Sequence, residues 1–298
     1  MEMQFLSPSS KKLIKERNRL LGECLREEPQ DFPIEKEYPI VLDPMFPHFS
    51  HCLKEGSKII AHANIWPRVM VDASQRERYH VFLVGNVATH QDYRNKGIMR
   101  ELLASIEEMA TSQKACGLIL WSDLSSFYHK LGFKSLGREY RFLFNYNPQK
   151  AGLNIFKPVP QSHISTANLE DMLALRPKVP LTLFRSPLEF EKLLTIPKTH
   201  LFAAFDQERI ISYAICGKGA DMVGVIHEWG GDPSYVELSV HKAMAHLDFN
   251  SLILLSPTKE RHFVDQSVSS SKHPMAFYKP LKDAFGIEDA FIWGLDSI

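Results

Sequence analysis

Hydrophobic positions along the chain switch repeatedly between helical and strand spacing. Leu13, Ile14, Leu20, Leu21, Cys24 and Leu25 fall at i, i+3/i+4 intervals behind Ser9 and Ser10, which predicts a first helix with an N-cap. Residues 58–66 carry Ile59, Ile60, Ala61, Ala63 and Ile65 and read as a strand that Pro67 ends. A second strand is predicted over 79–89, an amphipathic helix over 97–113 and a strand over 117–121. A short helix carrying Phe127 and Tyr128 follows, capped by Ser125 and Ser126 and stopped by Gly132, and then a closing strand over 139–144. Five prolines between residues 27 and 50 interrupt any period, so that stretch is expected to be an ordered irregular loop that lines a substrate entrance or merely connects.

After a boundary at 145–152 and a linker ending at 157–160, the same kinds of element return. Helices are predicted over 166–175 and 186–194, the latter opened by a Ser186-Pro187-Leu188-Glu189 capping box. A hairpin over 200–216, a strand over 222–229, a helix over 236–247 and a strand over 252–255 follow. Ala276-Phe277-Tyr278-Lys279 echoes the Phe127-Tyr128 segment. The expectation is an α/β chain of two tandem copies of one fold, residues 1–150 and 151–298. Each copy would be a mixed, mostly antiparallel sheet flanked by helices.

The junction of the strand at 81–89 with the helix at 97–113 holds the chemistry. Arg94 and Lys96 stand just before Gly97, which opens the helix, so unpaired backbone N–H groups, a glycine and two cations meet at one point. That combination traps an anion, and a diphosphate suits it.

Val87-Ala88-Thr89-His90 followed by Tyr93-Arg94-Asn95-Lys96-Gly97-Ile98 resembles the acetyl-CoA pyrophosphate loop of the GCN5-related N-acetyltransferase (GNAT) family, with Met99 where a second small residue is usual. Phe127-Tyr128-His129-Lys130-Leu131-Gly132-Phe133 matches a second signature of that family. The resemblance covers about residues 55–145. It implies two tandem GNAT folds, acetyl-CoA as cosubstrate, and an acetyl group moved to a primary amine of a small molecule or peptide. It further implies that Val87, Ala88, Thr89, Arg94, Asn95, Lys96, Gly97, Ile98 and Met99 hold CoA, with pantetheine bonded to the backbone of Val87 and Thr89, and that Tyr128 serves as acid toward the leaving thiolate. His90, Asp123, His62 or a water chain are the candidates for a base. In the second copy Glu228 and Asp232 stand where basic groups would be needed, so that copy is expected to be degenerate and to bind no CoA. A module that holds CoA without turnover is the alternative reading.

Composition narrows the partners. Net charge is +0 over 298 residues, which argues against a dedicated nucleic-acid binder. The first half holds 21 basic against 18 acidic residues and the second 14 against 17, a slight bias toward the polyanionic ligand. Four scattered cysteines and thirteen histidines without ligand spacing point to a reduced, cytoplasmic protein with no metal. No apolar run reaches the ~18 residues of a membrane span, and oligomeric state is left open.

Overall fold

A computed structural model describes residues 1–7, 9–28, 30–73, 76–153, 155–282, 287 and 289–298. The first half runs β1 (Glu2–Phe5), α1 (Lys11–Leu25), β2 (Ser50–Glu55), β3 (Lys58–Asp72), β4 (Arg78–Thr89), α2 (Ile98–Ser112), β5 (Gly117–Leu120), α3 (Ser125–Lys130) and β6 (Lys134–Asn145). The second begins with α4 (Pro148–Ala151), β7 (Lys157–Pro158), α5 (Thr166–Leu175), β8 (Leu181–Leu183) and α6 (Pro187–Leu194). It continues through β9 (His200–Asp206), β10 (Arg209–Cys216), β11 (Val225–Gly230), α7 (Pro233–Leu247), β12 (Ser251–Ser256), α8 (Arg261–Gln266), β13 (Ser269–Pro280) and β14 (Ala290–Phe291).

All these strands join one sheet, in the order β1-β2-β3-β4-β5-β13-β6-β12-β11-β10-β9-β7, with β8 and β14 paired off this path. Most neighbours are antiparallel; β4 with β5, β11 with β12 and the short β8 with β14 are parallel. In the first two of these pairs the strands are joined by a crossover helix, α2 and α7 respectively. Helix α2 buries Ile98, Leu102, Leu103, Ile106 and Ala110, one stripe of a 3.6-residue period, in a core whose buried residues come from the first half, with Phe277 and Leu281 of the second packed against it.

The two halves are interleaved rather than laid end to end. Strand β13 of the second half inserts between β5 and β6, while β6 of the first half pairs with β12. A cut at residue 150 would therefore strip β5 and β6 of their neighbour β13 and leave unpaired backbone at an edge. One hydrophobic core runs across the division, holding Phe142 and Phe144 from the first half with Trp229, Phe263, Tyr278 and Trp293 from the second.

Three local expectations change. Strand β3 does not stop at Pro67 but continues to Asp72. Val69 O accepts from Phe184 N on the side away from β4, and Pro67, two residues earlier, turns its donorless nitrogen to that same side. There β2 has ended at Asn64 and β8 begins only opposite Met70, so no ladder bond is missed. The Ala276–Leu281 echo is not a helix either, since Ala276 to Pro280 lie in β13 against β5 and β6. Helix α3 is preceded by Leu124, whose N–H is held by Ser122 Oγ at 3.0 Å, so Ser125 and Ser126 lie inside the helix and do not cap it.

Candidate active site

Strands β4 and β5 run together for only three pairs, Val81 with Gly117, Phe82 with Leu118 and Leu83 with Ile119, and then separate. The cause lies in β4. Between Gly85, opposite Asn64, and Ala88, opposite His62, β4 carries one residue more than β3, and Asn86 absorbs the bulge with φ 48°. Asparagine tolerates that left-handed backbone better than most residues. The bulge is braced: Asn86 O lies 2.9 Å from His62 Nδ1, Asn86 Nδ2 donates to Asn64 Oδ1 at 2.9 Å, and Asn64 Nδ2 donates to Val41 O at 3.0 Å. A cleft of about 1480 Å³ occupies the wedge, lined by residues 84–89 on one side and 120–124 on the other.

One end of the cleft is an open helix N-terminus. Gly97 precedes α2 with φ 78° and no side chain caps the first turn, while a β-carbon built there would meet nothing within 4 Å. The site therefore has free backbone donors and room for a phosphate group. Arg94 lines it, braced by its Nε donating to Thr89 O at 3.1 Å. His90 N bonds Ile60 O on β3, so Thr89, and Val87 two residues before it, present their backbone groups to the cleft.

Of the residues singled out by sequence, Val87, Ala88, Thr89, Arg94, Asn95, Gly97, Ile98, Met99 and Tyr128 line this one cleft. Lys96 is not part of the wall, and its Nζ lies 5.1 Å over the Tyr93 ring. The side chain of Ile98 is buried and that of Met99 packs on the first-half core. These two can therefore serve a ligand chiefly through backbone. CoA thus fits the residues present: donors at Gly97 and beyond, Arg94 beside them, and an unfilled wedge leading to Tyr128.

Tyr128 sits at the other end, 4% exposed, edge-on to Phe127 and Phe133 and stacked with Phe277 from β13. Burial pushes its phenol up to about 12, with a hydrogen bond to Ser122 pulling the other way. Among the candidate bases, only Asp123 lines the cleft. His62 is fully buried, which holds its imidazole down at about 3, neutral and committed to Asn86 O. His90 caps the turn after β4 by accepting from Asp92 N.

The family model for an acetyltransferase (GNAT) domain matches residues 6–136, the part of the chain that builds this wedge. Residues 6–136 thus form a GNAT-type acetyltransferase domain by this match. Similar solved structures, under 15% identical and so informative for fold alone, agree. A GCN5-related N-acetyltransferase from Kribbella flavida is 12% identical with TM-score 0.63, covering 94% of this chain and 72% of that one. A probable N-acyltransferase from Enterococcus faecalis V583 is 14% identical with TM-score 0.69 and the same coverage. Saccharomyces cerevisiae N-myristoyltransferase with bound myristoyl-CoA is 10% identical with TM-score 0.61, covering 94% of this chain and 80% of its own. No curated protein matches by sequence.

The rest of the GNAT cleft comes from residues that no motif marked. Lys218, Asp221, Met222, Met275, Ser297 and Ile298 close it from the second half. The loop after β10 is tied to the 27–50 stretch, where Tyr38 Oη donates to Asp221 Oδ2 at 2.6 Å and Arg26 bridges Glu37 and Asp221. That stretch, with short helical turns at Ile34–Lys36 and Pro47–Phe49, therefore does reach the cleft, through Tyr38. Lys218 is buried and donates to Gly294 O and Ser297 Oγ. Ile298 lies against β4 so closely that a β-carbon on Gly85 would fall 2.3 Å from its backbone carbon. A glycine inside a strand is the sequence signal for such an approach, although it does not name the partner.

In the second half, strands β11 and β12 also separate, after two pairs, but their wedge is filled. Trp229 crosses it, its Nε1 donating to Leu255 O at 3.0 Å, edge-on to Phe263 and Trp293. Asp232 caps α7 by accepting from Ser234 N at 2.8 Å. Glu228 does not face a diphosphate position. It is wholly buried and ion-paired with Arg176 and Arg185. The expected repulsion of a diphosphate by Glu228 and Asp232 is thus corrected: Glu228 is paired with two arginines, Asp232 is spent on the α7 cap, and Trp229 occupies the wedge. Among the described residues no group of three or more His, Cys, Asp and Glu side chains could hold a metal, and no helix is long and apolar enough to cross a membrane.

Proposed function

We propose that the chain is a cytoplasmic N-acetyltransferase that moves an acetyl group from acetyl-CoA to a primary amine of a small molecule or peptide. Residues 1–150 would form the CoA-binding domain and 151–298 its degenerate partner. The single observation that supports this most is the unfilled wedge that runs from the uncapped helix at Gly97 to the buried phenol of Tyr128.

The cosubstrate supplies an activated thioester. Backbone donors of residues 97–99 with Arg94 hold the diphosphate, and the backbone of Val87 and Thr89 holds pantetheine against β4. Tyr128 acts at the sulfur. A phenol pushed to about 12 stays protonated at neutral pH and can donate from Oη to charge building on the leaving thiolate. An ordinary thiol titrates near ~8.5, well below that phenol, so Tyr128 steadies the sulfur by hydrogen bonding and the proton that ends on CoA comes from the amine. The acceptor must arrive neutral, and of the two carboxylates on the cleft wall Asp123 is the one proposed to take its proton, since Asp221 is tied to Tyr38 and Arg26.

Thiol release from acetyl-CoA in the presence of a panel of primary amines tests the reading, with mass detection of the N-acetyl product. Stoichiometric CoA binding without product from any amine would leave a module that holds CoA and does no chemistry.

A further inference from the structure

Strand β13 is paired with β6 in one unbroken register from Ser269 to Tyr278, but on its other side β5 pairs it only over residues 277–280. Strand β5 ends at Leu120, opposite Phe277, and the chain then turns away toward α3. Among the described residues no strand pairs that edge of β13 over 269–276. Leu281 N donates at 2.9 Å to the O of Cys116, its opposite number in the β5 register, so Leu281, Lys279 and Phe277 turn their backbone polar groups toward β5. By the same alternation Met275, His273 and Ser271 turn theirs to the unpaired edge. Pro274, which has no N–H, faces β6 and leaves that edge uninterrupted.

This edge opens on the cleft. Residues 273–277 line it, and Ser269, Ser270, Ser271 and Lys272 beyond them are exposed. From Ser271 to Met275 the edge runs ~14 Å and leads to Phe277, whose ring stacks with Tyr128 at a centroid distance of 6.3 Å. Donors and acceptors that recur every second residue are matched by an extended polypeptide backbone. Charge narrows the occupant further. Arg138, Arg141 and Lys272 are exposed on these two strands with His273 among them, and the one carboxylate there, Glu139, is 8% exposed and accepts from Arg141 Nε at 2.8 Å. Acidic side chains complement such an edge.

We propose that the unpaired edge of β13 docks the acceptor as an added antiparallel strand, so that the acylated amine is the N-terminus of an extended peptide with acidic side chains near its start. The inference rests on the acyl-transfer reading above and narrows its acceptor. The added strand occupies the place β5 would have taken had it continued past Leu120. Running antiparallel to β13, from beside Met275 toward Ser271, it begins next to the wedge and Tyr128, which puts its first residue at the reacting end. A parallel strand would bring a carboxyl terminus there, which has no amine to acylate.

The test uses the full chain with acetyl-CoA and the C-terminally amidated hexapeptide Ala-Glu-Thr-Glu-Thr-Val. Two analogues carry backbone N-methyl groups, one at the second and fourth residues and the other at the third and fifth. Only one set of amides faces β13, so one analogue should raise the KM at least ~10-fold and the other less than ~3-fold. Lysines in place of the glutamates should lower kcat/KM about 10-fold. His273→Pro removes one donor from the open edge without touching the β6 ladder and should raise the peptide KM about 10-fold, whereas His273→Ala keeps that N–H and should raise it less than ~3-fold. The N-methyl pair is read on the parent protein and decides the matter if His273→Pro does not fold. Fluorescence anisotropy of the peptide, labelled at its C-terminus, with the CoA-saturated protein reads docking without turnover. Binding with the one-sided N-methyl pattern but no acetylated product supports the docking edge and overturns the acyl-transfer reading. Acetylation of n-butylamine as efficient as that of the peptide, with the two N-methyl analogues equivalent, overturns the edge and leaves acyl transfer standing. The edge is also overturned if the peptide neither binds nor reacts, or if only the lysine side chain of an N-terminally blocked peptide is acetylated.

Discussion

The junction of β4 with α2 and the junction of β11 with α7 are built from the same parts, a strand leaving a parallel partner and turning into a helix, yet the large cleft of about 1480 Å³ opens at the first. At the first, a glycine without a cap opens the helix and the wedge is unfilled. At the second, Asp232 satisfies the helix and the Trp229 indole bridges the wedge to Leu255. Backbone topology therefore provides the place, and side-chain occupancy decides whether a ligand can use it. The second junction has in turn acquired a structural load: Arg185 joins Glu228 to Asp296, and Arg68 of β3 joins that group from the first half.

The largest expected effect comes from breaking that buried group. Arg185→Ala leaves Glu228 and Asp296 in the core with reduced compensation, and a loss of about 3–5 kcal/mol of stability follows, read by urea unfolding. Burial alone would raise both carboxyl groups. Arg176 and Arg185 outweigh it at Glu228, as do Arg185 and Arg68 at Asp296, so both are held below their ordinary values. Their contribution is therefore present at neutral pH and is lost as the pH falls through the depressed folded values. A variant that loses under 1 kcal/mol would show that the second half does not depend on this network.

Two tyrosines sharpen the contrast next. Tyr128→Phe should fold normally and lose about 100-fold in kcat, near 2.7 kcal/mol, with little change in CoA affinity. Tyr278, which the sequence sets in a similar Phe-Tyr-x-Lys-like run, donates to Cys116 O at 3.0 Å. Tyr278→Phe should therefore cost stability and leave kcat in place. Equal kinetic behaviour of the two variants in steady-state assays would reduce Tyr128 to packing.

Gly97→Asp tests the open helix end. It puts a carboxylate where the diphosphate is expected and strains a backbone at φ 78°, so acetyl-CoA affinity should fall about 10-fold or more, at least ~1.4 kcal/mol. Unchanged calorimetric binding by a folded variant would move the diphosphate elsewhere.

How much of this could be read beforehand follows from the range of the interactions. The wedge of the first half was legible because its parts are local: the run from Val87 to Met99 and the segment from Phe127 to Phe133 each lie within about a dozen residues. Helices α5, α6 and α7 were legible for the same reason, from caps and 3.6-residue periods. Strand exchange was not, because nothing local in Ser269–Pro280 states that it inserts between β5 and β6. Nor was the cleft's second wall, since Asp221 meets Tyr38 from 183 residues away and Ile298 meets Gly85 from the far end of the chain. Glu228 was misjudged by the same limit, as its neutralising partners Arg176 and Arg185 lie 52 and 43 residues away.

The smallest expected effect asks which of the two obstacles disables the second junction. Asp232→Ala removes the cap of α7 and should cost about 1 kcal/mol of stability. It also frees the backbone donors of the first turn, so if capping alone kept CoA out, the second half would gain an anion site. The Trp229 ring would still cross the wedge, held by Leu255 O and packed on Phe263 and Trp293. Pantetheine would have no path between β11 and β12. Titration of Asp232→Ala with acetyl-CoA should therefore give one molecule per chain, as for the parent chain, with the same Kd. A second binding event would show that the cap, and not the tryptophan, separates the two junctions.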